Sequence, residues 1–388
     1  MTELPLLRVA RADSVDAVSD LIRRAVDAGA SDLHFLPQET GLLVRMRVDG
    51  VLHDLEHVSE SSAGSTVSRL KVLAQLDIAD HQSAQDGRFS LDDLDVRVAV
   101  LPTVTGEGVI LRLLRTEDRP PSLTQLGLSF EMQMALERVI SQPNGLLLVA
   151  GPTGAGKSTT LYAALTDVNR PEVNTVTVED PVEYRVPRAY QVQVNEKRGL
   201  TFPTALRSIL RSDPDIIMVG EIRDEIMAQL VIQASLSGHF VLSTIHGDDA
   251  PRTLTRLAEM GIAPYLISTA VTAVLAQRLT RKLCEHCREE YEPAEAERTQ
   301  LGLDAAGPVR LYRPRGCSAC TRGFRGRVGV FQLLTMCEEI ALAISLEQTS
   351  AAIGAAAAHN GMHTLWSDGL EKARAGLTTV QELRRVAV

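Results

Sequence analysis

The residues of this chain best suited to chemistry lie in five separate stretches. Residues 145–159, GLLLVAGPTGAGKST, form an apolar run that ends in G-x-x-x-x-G-K-[ST]. Glycine lets successive backbone N–H groups curl inward around an anion, and a helix beginning near Lys157 turns its positive end to the same place. The pattern reads as a phosphate-binding loop made of Gly151, Pro152, Thr153, Gly154, Ala155, Gly156, Lys157, Ser158 and Thr159. Lys157 would reach the β/γ-phosphates of a nucleotide, and the Ser158 hydroxyl would ligate Mg²⁺. A Gly-rich turn without a ligand is the alternative.

Two acidic stretches follow. In NTVTVEDPVEY (residues 174–184), a strand over 175–178 delivers Glu179, Asp180 and Glu183 to its end. Ligands of open α/β sheets bind at the carboxyl ends of strands, so these carboxylates could hold Mg²⁺ or a water, or form an ordinary acidic surface cluster. In DPDIIMVGEIRD (residues 213–224), the short apolar strand 216–219 ends in an acid, the Walker B pattern. Phosphoryl transfer depends on positioning and charge neutralisation, so Glu221 is expected to polarise the attacking water or to act through Mg²⁺. Arg207 and Arg211, just upstream, are second candidates for contacting phosphate. The run SGHFVLSTIH (residues 237–246) places His239 and His246 on either side of a strand over 240–244. His246 follows that strand in parallel with Lys157 and Glu221, which suits a sensor at the γ-phosphate end better than a general base. A structural role is the alternative for both histidines.

The fifth stretch holds Cys284-Glu285-His286-Cys287 and Cys317-Ser318-Ala319-Cys320, two CxxC knuckles 29 residues apart. That gap is longer than in an ordinary zinc ribbon. Each knuckle can still present two thiolates to one tetrahedral ion, and Zn²⁺ suits a closed four-sulfur site of structural role. Nearby Arg281, Lys282, Arg315, Arg322, Arg325 and Arg327 favour thiolates. His286 is a less favoured substitute ligand, and Cys337 reads as a buried residue of an apolar run.

Bulk properties bound what these groups can serve. Length allows about two or three domains. Net charge is −9 and the pI about 5.6, so a general electrostatic grip on nucleic acid is not indicated. No apolar run reaches the length that spans a bilayer, and the first residues lack the basic-then-apolar layout of a signal peptide. A cytoplasmic chain is expected, where paired cysteines favour metal over disulfides.

The elements that must position the chemistry are partly legible. Val15, Val18, Leu21, Ile22 and Ala25 recur at helical spacing, with Ser14 as N-cap and Gly29 as stop. Strand 43–48, the Asp49-Gly50 turn and Val51 to His53 read as a hairpin. A helix over 66–76 and strands over 94–100 and 109–114 complete an α+β domain at residues 1–115. Arg45, Arg47, Arg97 and Arg112 alternate along its strands. They form either an ordinary charged outer face or a set that closes over a nucleotide bound elsewhere, on the same subunit or a neighbour. The polar stretch 116–122 with its Pro-Pro pair reads as a semi-rigid linker. An α/β phosphate-binding domain occupies 123–388, with a cysteine insertion at 281–330. Residues 331–388 read as a helical subdomain, with helices over 351–358 and 370–375.

The order of motifs resembles that of the ATPases of type II secretion and type IV pilus assembly. The phosphate loop, VEDPVE, DPDIIMVGEIRD and SGHFVLSTIH follow one another as in that family. Ala30-Ser31-Asp32-Leu33-His34, Gln85-Asp86-Gly87-Arg88-Phe89 and Arg97-Val98 look like its N-terminal domain. Gly361-Met362, Thr364-Leu365 and Asp368-Gly369 look like its C-terminal helices. The likeness covers residues 14–388. It implies a RecA-like motor in a homo-hexameric ring, with ATP between the two domains of a subunit and Arg97 and Arg112 completing the site. It also implies peripheral placement at the inner membrane, where the motor drives a platform protein that extrudes pilin-like subunits. The four cysteines match assembly-type members and are absent from retraction-type ones. Two departures stand out: His246-Gly247-Asp248-Asp249-Ala250 replaces the family's HTNDA, and Cys320 to Phe324 is one residue shorter than usual. The chain also begins almost directly with the nucleotide-closing domain, where longer members carry a further domain that docks a membrane partner.

A DNA-uptake motor is the alternative within this class. A non-hydrolysing nucleotide-gated scaffold is opposed by the complete set of Lys157, Ser158, Glu179 and Glu221. A nucleic-acid translocase is opposed by the acidic balance and by seven Phe and one Trp, too few to outline a stacking groove.

Overall fold

The protein is described here from a computed structural model covering residues 16–115, 120–303 and 309–387. The expected N-cap Ser14, Val15 and the linker residues 116–119 lie outside these. The chain divides into two compact units, Met1–Asp118 and Arg119–Val388.

In the first unit, α1 (Asp16–Asp27) is followed by β1 (Ala30–Gln38), β2 (Gly41–Val48), β3 (Val51–Ser59) and α2 (Glu60–Leu73). Then come β4 (Gln85–Leu91), β5 (Leu94–Thr103) and β6 (Gly106–Arg115). The strands form one antiparallel sheet in the order β3-β2-β1-β6-β5-β4. Alternation decides its faces: Leu33, Phe35, Val44, Val96, Val98 and Leu111 point to a core shared with Val18, Leu21 and Ile22 of α1 and Leu70 of α2. The helix expected over 66–76 begins at Glu60. Its first turns are Ser- and Gly-rich, which hides the periodicity, and Ser62 and Thr66 are buried with the Thr66 hydroxyl donating to the Ser62 carbonyl.

The second unit runs through α3 (Phe130–Ile140), β7 (Gly145–Ala150), α4 (Lys157–Val168), β8 (Thr175–Glu179), β9 (Ala189–Gln193), α5 (Phe202–Ile209), β10 (Ile216–Ile222), α6 (Glu225–Leu236), β11 (Phe240–Ile245), α7 (Ala250–Glu259), α8 (Pro264–Ala270) and β12 (Val271–Leu283). The seven-stranded sheet has the order β15-β12-β7-β11-β10-β8-β9, where β15 is Phe324–Thr335. It is parallel except for β15, which runs antiparallel to β12. Apolar layers cover both faces, which is why β7, β8 and β11 are buried along their whole length. Residues 331–335, read from the sequence as the start of a helical subdomain, are strand.

Between β12 and β15 lie β13 (Arg288–Tyr291), α9 (Glu295–Leu301) and β14 (Leu311–Pro314), with β13 and β14 paired antiparallel. The chain ends in α10 (Glu338–Ser345), α11 (Ser350–His359), α12 (Leu365–Arg374) and α13 (Val380–Val386). The helix expected over 370–375 thus begins five residues earlier, capped by the Thr364 hydroxyl.

One buried carboxylate ties α13 to β12. Glu382 accepts hydrogen bonds from the Arg281 backbone at 3.1 Å and from the Arg281 and Arg385 guanidiniums, each at 2.8 Å. Arg281 also lies over the Phe324 ring at 4.0 Å. Burial alone would raise the Glu382 pKa, but the two arginines outweigh it and hold the carboxyl at about 2. A carboxyl depressed in the folded state stabilises it above the unfolded pKa, and that contribution fades as pH falls through the folded value. Glu382→Gln is therefore expected to cost ~3 kcal/mol near neutral pH. Melting temperatures of parent and variant, followed from pH 7 to pH 2, should converge below the ordinary carboxylate value of 4.5.

Candidate nucleotide-binding site

The phosphate loop is built by the junction of β7 and α4. Gly156 caps α4 at φ 84°, a left-handed conformation that favours glycine. A Cβ on Gly151 would lie 2.7 Å from the Gln277 carbonyl, so β12 backs the loop too closely for any side chain there. The Lys157 ammonium donates to the carbonyls of Gly151 at 2.8 Å and Pro152 at 3.1 Å. Burial lowers its pKa; the carboxylate of Glu221 pulls it back up, and the guanidinium of Arg278 pushes it further down. Among the described residues, Ser158 makes no side-chain hydrogen bond, leaving its hydroxyl available to an ion.

Glu221 lies in β10, one residue before its end, and His246 directly follows β11. β7, β11 and β10 are neighbours in the sheet, and the residues at or just past their carboxyl ends are the loop, His246 and Glu221. His246 Nε2 lies 2.9 Å from Glu221 Oε1, and Arg223 Nε donates to Glu221 Oε2 at 3.0 Å. Arg223 also lies 4.0 Å from Asp180 and over the Phe202 ring at 5.7 Å. Pro152 and His246 share the wall of a polar cavity of about 450 Å³ with Asp248, Arg252 and Arg256.

Glu179, on the strand beside β10, is held by a different set of partners. It is 4 % exposed, and both carboxylate oxygens are taken: Thr177 Oγ1 donates at 2.6 Å, Gln191 Nε2 at 3.3 Å, and the Tyr162 hydroxyl donates to the other oxygen. Tyr162 in turn accepts from the backbone N–H of Glu183 at 3.2 Å and Tyr184 at 3.3 Å. Burial raises the pKa of Glu179, against the pull of those hydrogen bonds, and burial and Glu179 raise that of Tyr162. This network joins the helix behind the phosphate loop to the acidic segment.

Arg207, Arg211 and His239 fall elsewhere in the second unit. Arg207 and Arg211 are exposed at the opposite edge of the sheet, because Ser212 and Asp213 pack on Asn174 at the amino ends of β8 and β10. The Arg211 guanidinium donates to the Arg207 carbonyl. His239 precedes β11, at its amino end, and binds the Ala234 carbonyl at 2.9 Å and Ser237 at 3.1 Å, closing the end of α6. In the first unit, register places Arg88, Arg97, Arg112, Asp32 and Arg47 in one row across five strands of the outer face. Arg112 Nε bonds Asp32 at 3.1 Å.

Gln277 and Arg278 were not singled out from the sequence. Gln277 Nε2 donates to the Ala155 carbonyl at 2.6 Å, and Arg278 Nη2 to the Asp248 carbonyl at 2.6 Å. The available signal was a Gln-Arg pair directly after the apolar run 273–276 of β12. In the altered loop after His246, a Cβ on Gly247 would come within 2.4 Å of the Thr253 hydroxyl, so Thr253 fits a glycine there.

The four knuckle cysteines converge. Their sulfurs all lie within 4.8 Å of one another, with Cys284–Cys317 at 3.9 Å, Cys287–Cys320 at 3.7 Å and Cys317–Cys320 at 3.7 Å. A tetrahedron with ligands at about 2.3 Å has edges of roughly 3.8 Å, so the donor set fits a zinc-sized ion. The β13–β14 pair folds the long intervening segment back and brings the knuckles together. His286 is not part of the cluster.

A phosphate loop at the carboxyl edge of a doubly covered parallel sheet, with an acid on the second strand over, defines a P-loop nucleotide-binding protein. Residues 11–385 match the family model described as type II/IV secretion system protein. The chain belongs to that family. It is 44% identical over 374 residues to type II secretion system protein E of Pseudomonas aeruginosa, covering 95% of this chain and 74% of that one. It is 42% identical over 373 residues to the type IV pilus assembly ATPase PilB of Thermus thermophilus, covering 94% of this chain and 42% of that one. In fold it is similar to the ATPase DotB of Legionella pneumophila, at TM-score 0.71 and 19% identity over 98% of each chain. It is also similar to the pilus retraction motor PilT with bound ADP, at TM-score 0.59 and 24% identity over 94% of this chain and 98% of that one.

The Tyr162–Glu179 network yields a stability test. Tyr162→Phe removes a donor from a buried carboxylate and should cost about 1–3 kcal/mol in chemical unfolding. The double variant with Glu179→Gln should lose less than the sum of the two single losses, because both act on one network.

Proposed function

We propose that this chain is a Mg²⁺-dependent ATPase that works as a homo-hexamer and powers assembly of a type II secretion pseudopilus or type IV pilus. One observation carries the reading. Lys157 and Ser158, Glu221 and His246 stand at the carboxyl ends of three adjacent parallel strands, in a chain 44% identical to a type II secretion system protein E across 95% of its length.

Each group has a role that its position supports. The loop N–H groups and Lys157 hold the β/γ-phosphates, and Ser158 holds Mg²⁺. The bound ion would neutralise charge on the transferred phosphoryl group. Glu221 orients the attacking water. His246, hydrogen-bonded to Glu221, reads the γ-phosphate end. Glu179, enclosed by Thr177, Tyr162 and Gln191, serves by holding the acidic segment. Arg97 and Arg112 of the N-terminal domain (1–115) close over the nucleotide, and the linker 116–122 lets that domain move against residues 123–388. Cys284, Cys287, Cys317 and Cys320 hold a structural Zn²⁺, and the complete cysteine set favours the assembly direction. Among the described residues, no helix is long and apolar enough to cross a membrane. We place the protein peripherally at the cytoplasmic face of the inner membrane, bound to a platform protein, without direct contact to nucleic acid.

ATP hydrolysis by the purified full chain tests the reading. Turnover should require Mg²⁺ and fall at least about 100-fold in Lys157→Ala and in Glu221→Gln. Metal analysis should return about one zinc per chain. Hydrolysis no faster in the parent than in both variants would leave the scaffold reading, and stimulation by DNA would favour a translocase.

A further inference from the structure

β10 and β11 fall out of step at one place. Val219 pairs with Ser243 and Ile222 with Ile245, so Gly220 and Glu221 together face Thr244 alone. This is a β-bulge, one extra residue inserted in β10. Its consequence is visible in the core. Ile217 and Val219 pack into one apolar layer, Ile216 and Met218 into the other. Strict alternation would send residue 221 into the first layer and residue 222 into the second. Instead Ile222 joins Ile217 and Val219 in the first. Glu221 is thereby freed from the core and meets His246 at 2.9 Å.

Two hydroxyls of β11 pin the bulge. Thr244 Oγ1 donates to the Gly220 carbonyl at 2.7 Å, and Ser243 Oγ donates to the Val219 carbonyl at 2.9 Å. Both residues are buried, Ser243 completely and Thr244 to within 4 %. A bulge disrupts the regular ladder, and a buried carbonyl left without a partner is costly. The hydroxyls supply that partner where the ladder is irregular, and valine, the usual β-branched residue of a buried strand, could not.

We infer that Thr244 is a positioning residue for Glu221. With Ser243 as a second anchor, its hydroxyl fixes the bulge in the register that aims the carboxylate at His246 and away from the core. The inference rests on the reading of Glu221 as the acid that orients water.

The test is steady-state hydrolysis of Mg²⁺-ATP by the full chain carrying Thr244→Val, Thr244→Ser, Ser243→Ala or Glu221→Gln, with melting temperatures alongside. Misplacing a catalytic group by about 1 Å costs on the order of 100-fold in rate. Thr244→Val keeps the side-chain volume and should lower kcat between roughly 10- and 100-fold, with KM for ATP within about twofold of the parent. Thr244→Ser keeps the hydroxyl and should restore kcat, an outcome that a purely packing role would not give. Parental kcat in Thr244→Val beside an inactive Glu221→Gln overturns the inference alone. So does a Thr244→Ser variant as slow as Thr244→Val. Full turnover in Glu221→Gln overturns the reading of Glu221, and the inference with it. If Thr244→Val does not fold, Ser243→Ala decides: a lowered kcat at unchanged KM supports the bulge, and parental kcat overturns it.

Discussion

A buried parallel strand cannot carry a charge along its length, and this constraint arranges the ATPase unit. β7, β8 and β11 are enclosed by apolar layers on both faces. Ionised groups can be placed only where the strands stop and the backbone opens to solvent. Lys157, Glu221 and His246 are therefore neighbours because β7, β10 and β11 are neighbours, although they lie far apart in the sequence. Glu179 shows the same rule from the other side. It is the last residue of β8 and remains inside, and its carboxylate is retained only with a donor on each oxygen.

Which side chains converge was more legible in the sequence than the contacts that support them. The phosphate loop could be read because its glycines answer local backbone demands: Gly156 takes a left-handed turn and Gly151 touches β12. The cysteine cluster could be read because two CxxC pairs present four sulfurs that can converge on one point. The fold class of each unit also followed from pattern, since alternation in β5 and β6 and apolar runs in β7, β10 and β11 match the observed elements. Residues acting through tertiary neighbours could not be read. Gln277 bonds the phosphate loop and Arg278 the loop after His246 because β12 pairs with β7, a pairing that no local pattern announces. Arg207 and Arg211 looked close to Glu221 in sequence, but a strand separates them from it. His239 and His246 flank β11 symmetrically in the sequence and lie at opposite edges of the sheet. The early start of α2 was hidden because serine and threonine took core positions in its first turns.

Hydroxyl groups recur at the points where regular structure is interrupted near the site. Thr177 and Tyr162 serve the end of β8, and Ser243 and Thr244 serve the bulge of β10. Each lies in a buried position. What these residues add is directional: a donor of fixed length on a stiff strand or helix holds a carbonyl or carboxylate to within a few tenths of an ångström. This edge of the sheet is thus set by polar contacts from the layer beneath it.

The long strand β12 gives the cysteine module a mechanical meaning. Gln277, near its middle, grips the phosphate loop, and roughly 20 Å further on the strand ends beside Cys284. In between it is laddered to β15, with one break in register near Arg281. Loop and cysteine module are consequently coupled in series along a single rod. A metal held by the four thiolates would anchor the far end of that rod and add stiffness rather than reactivity. A displacement at the nucleotide would then be felt as tension at the clamp, far from any phosphate.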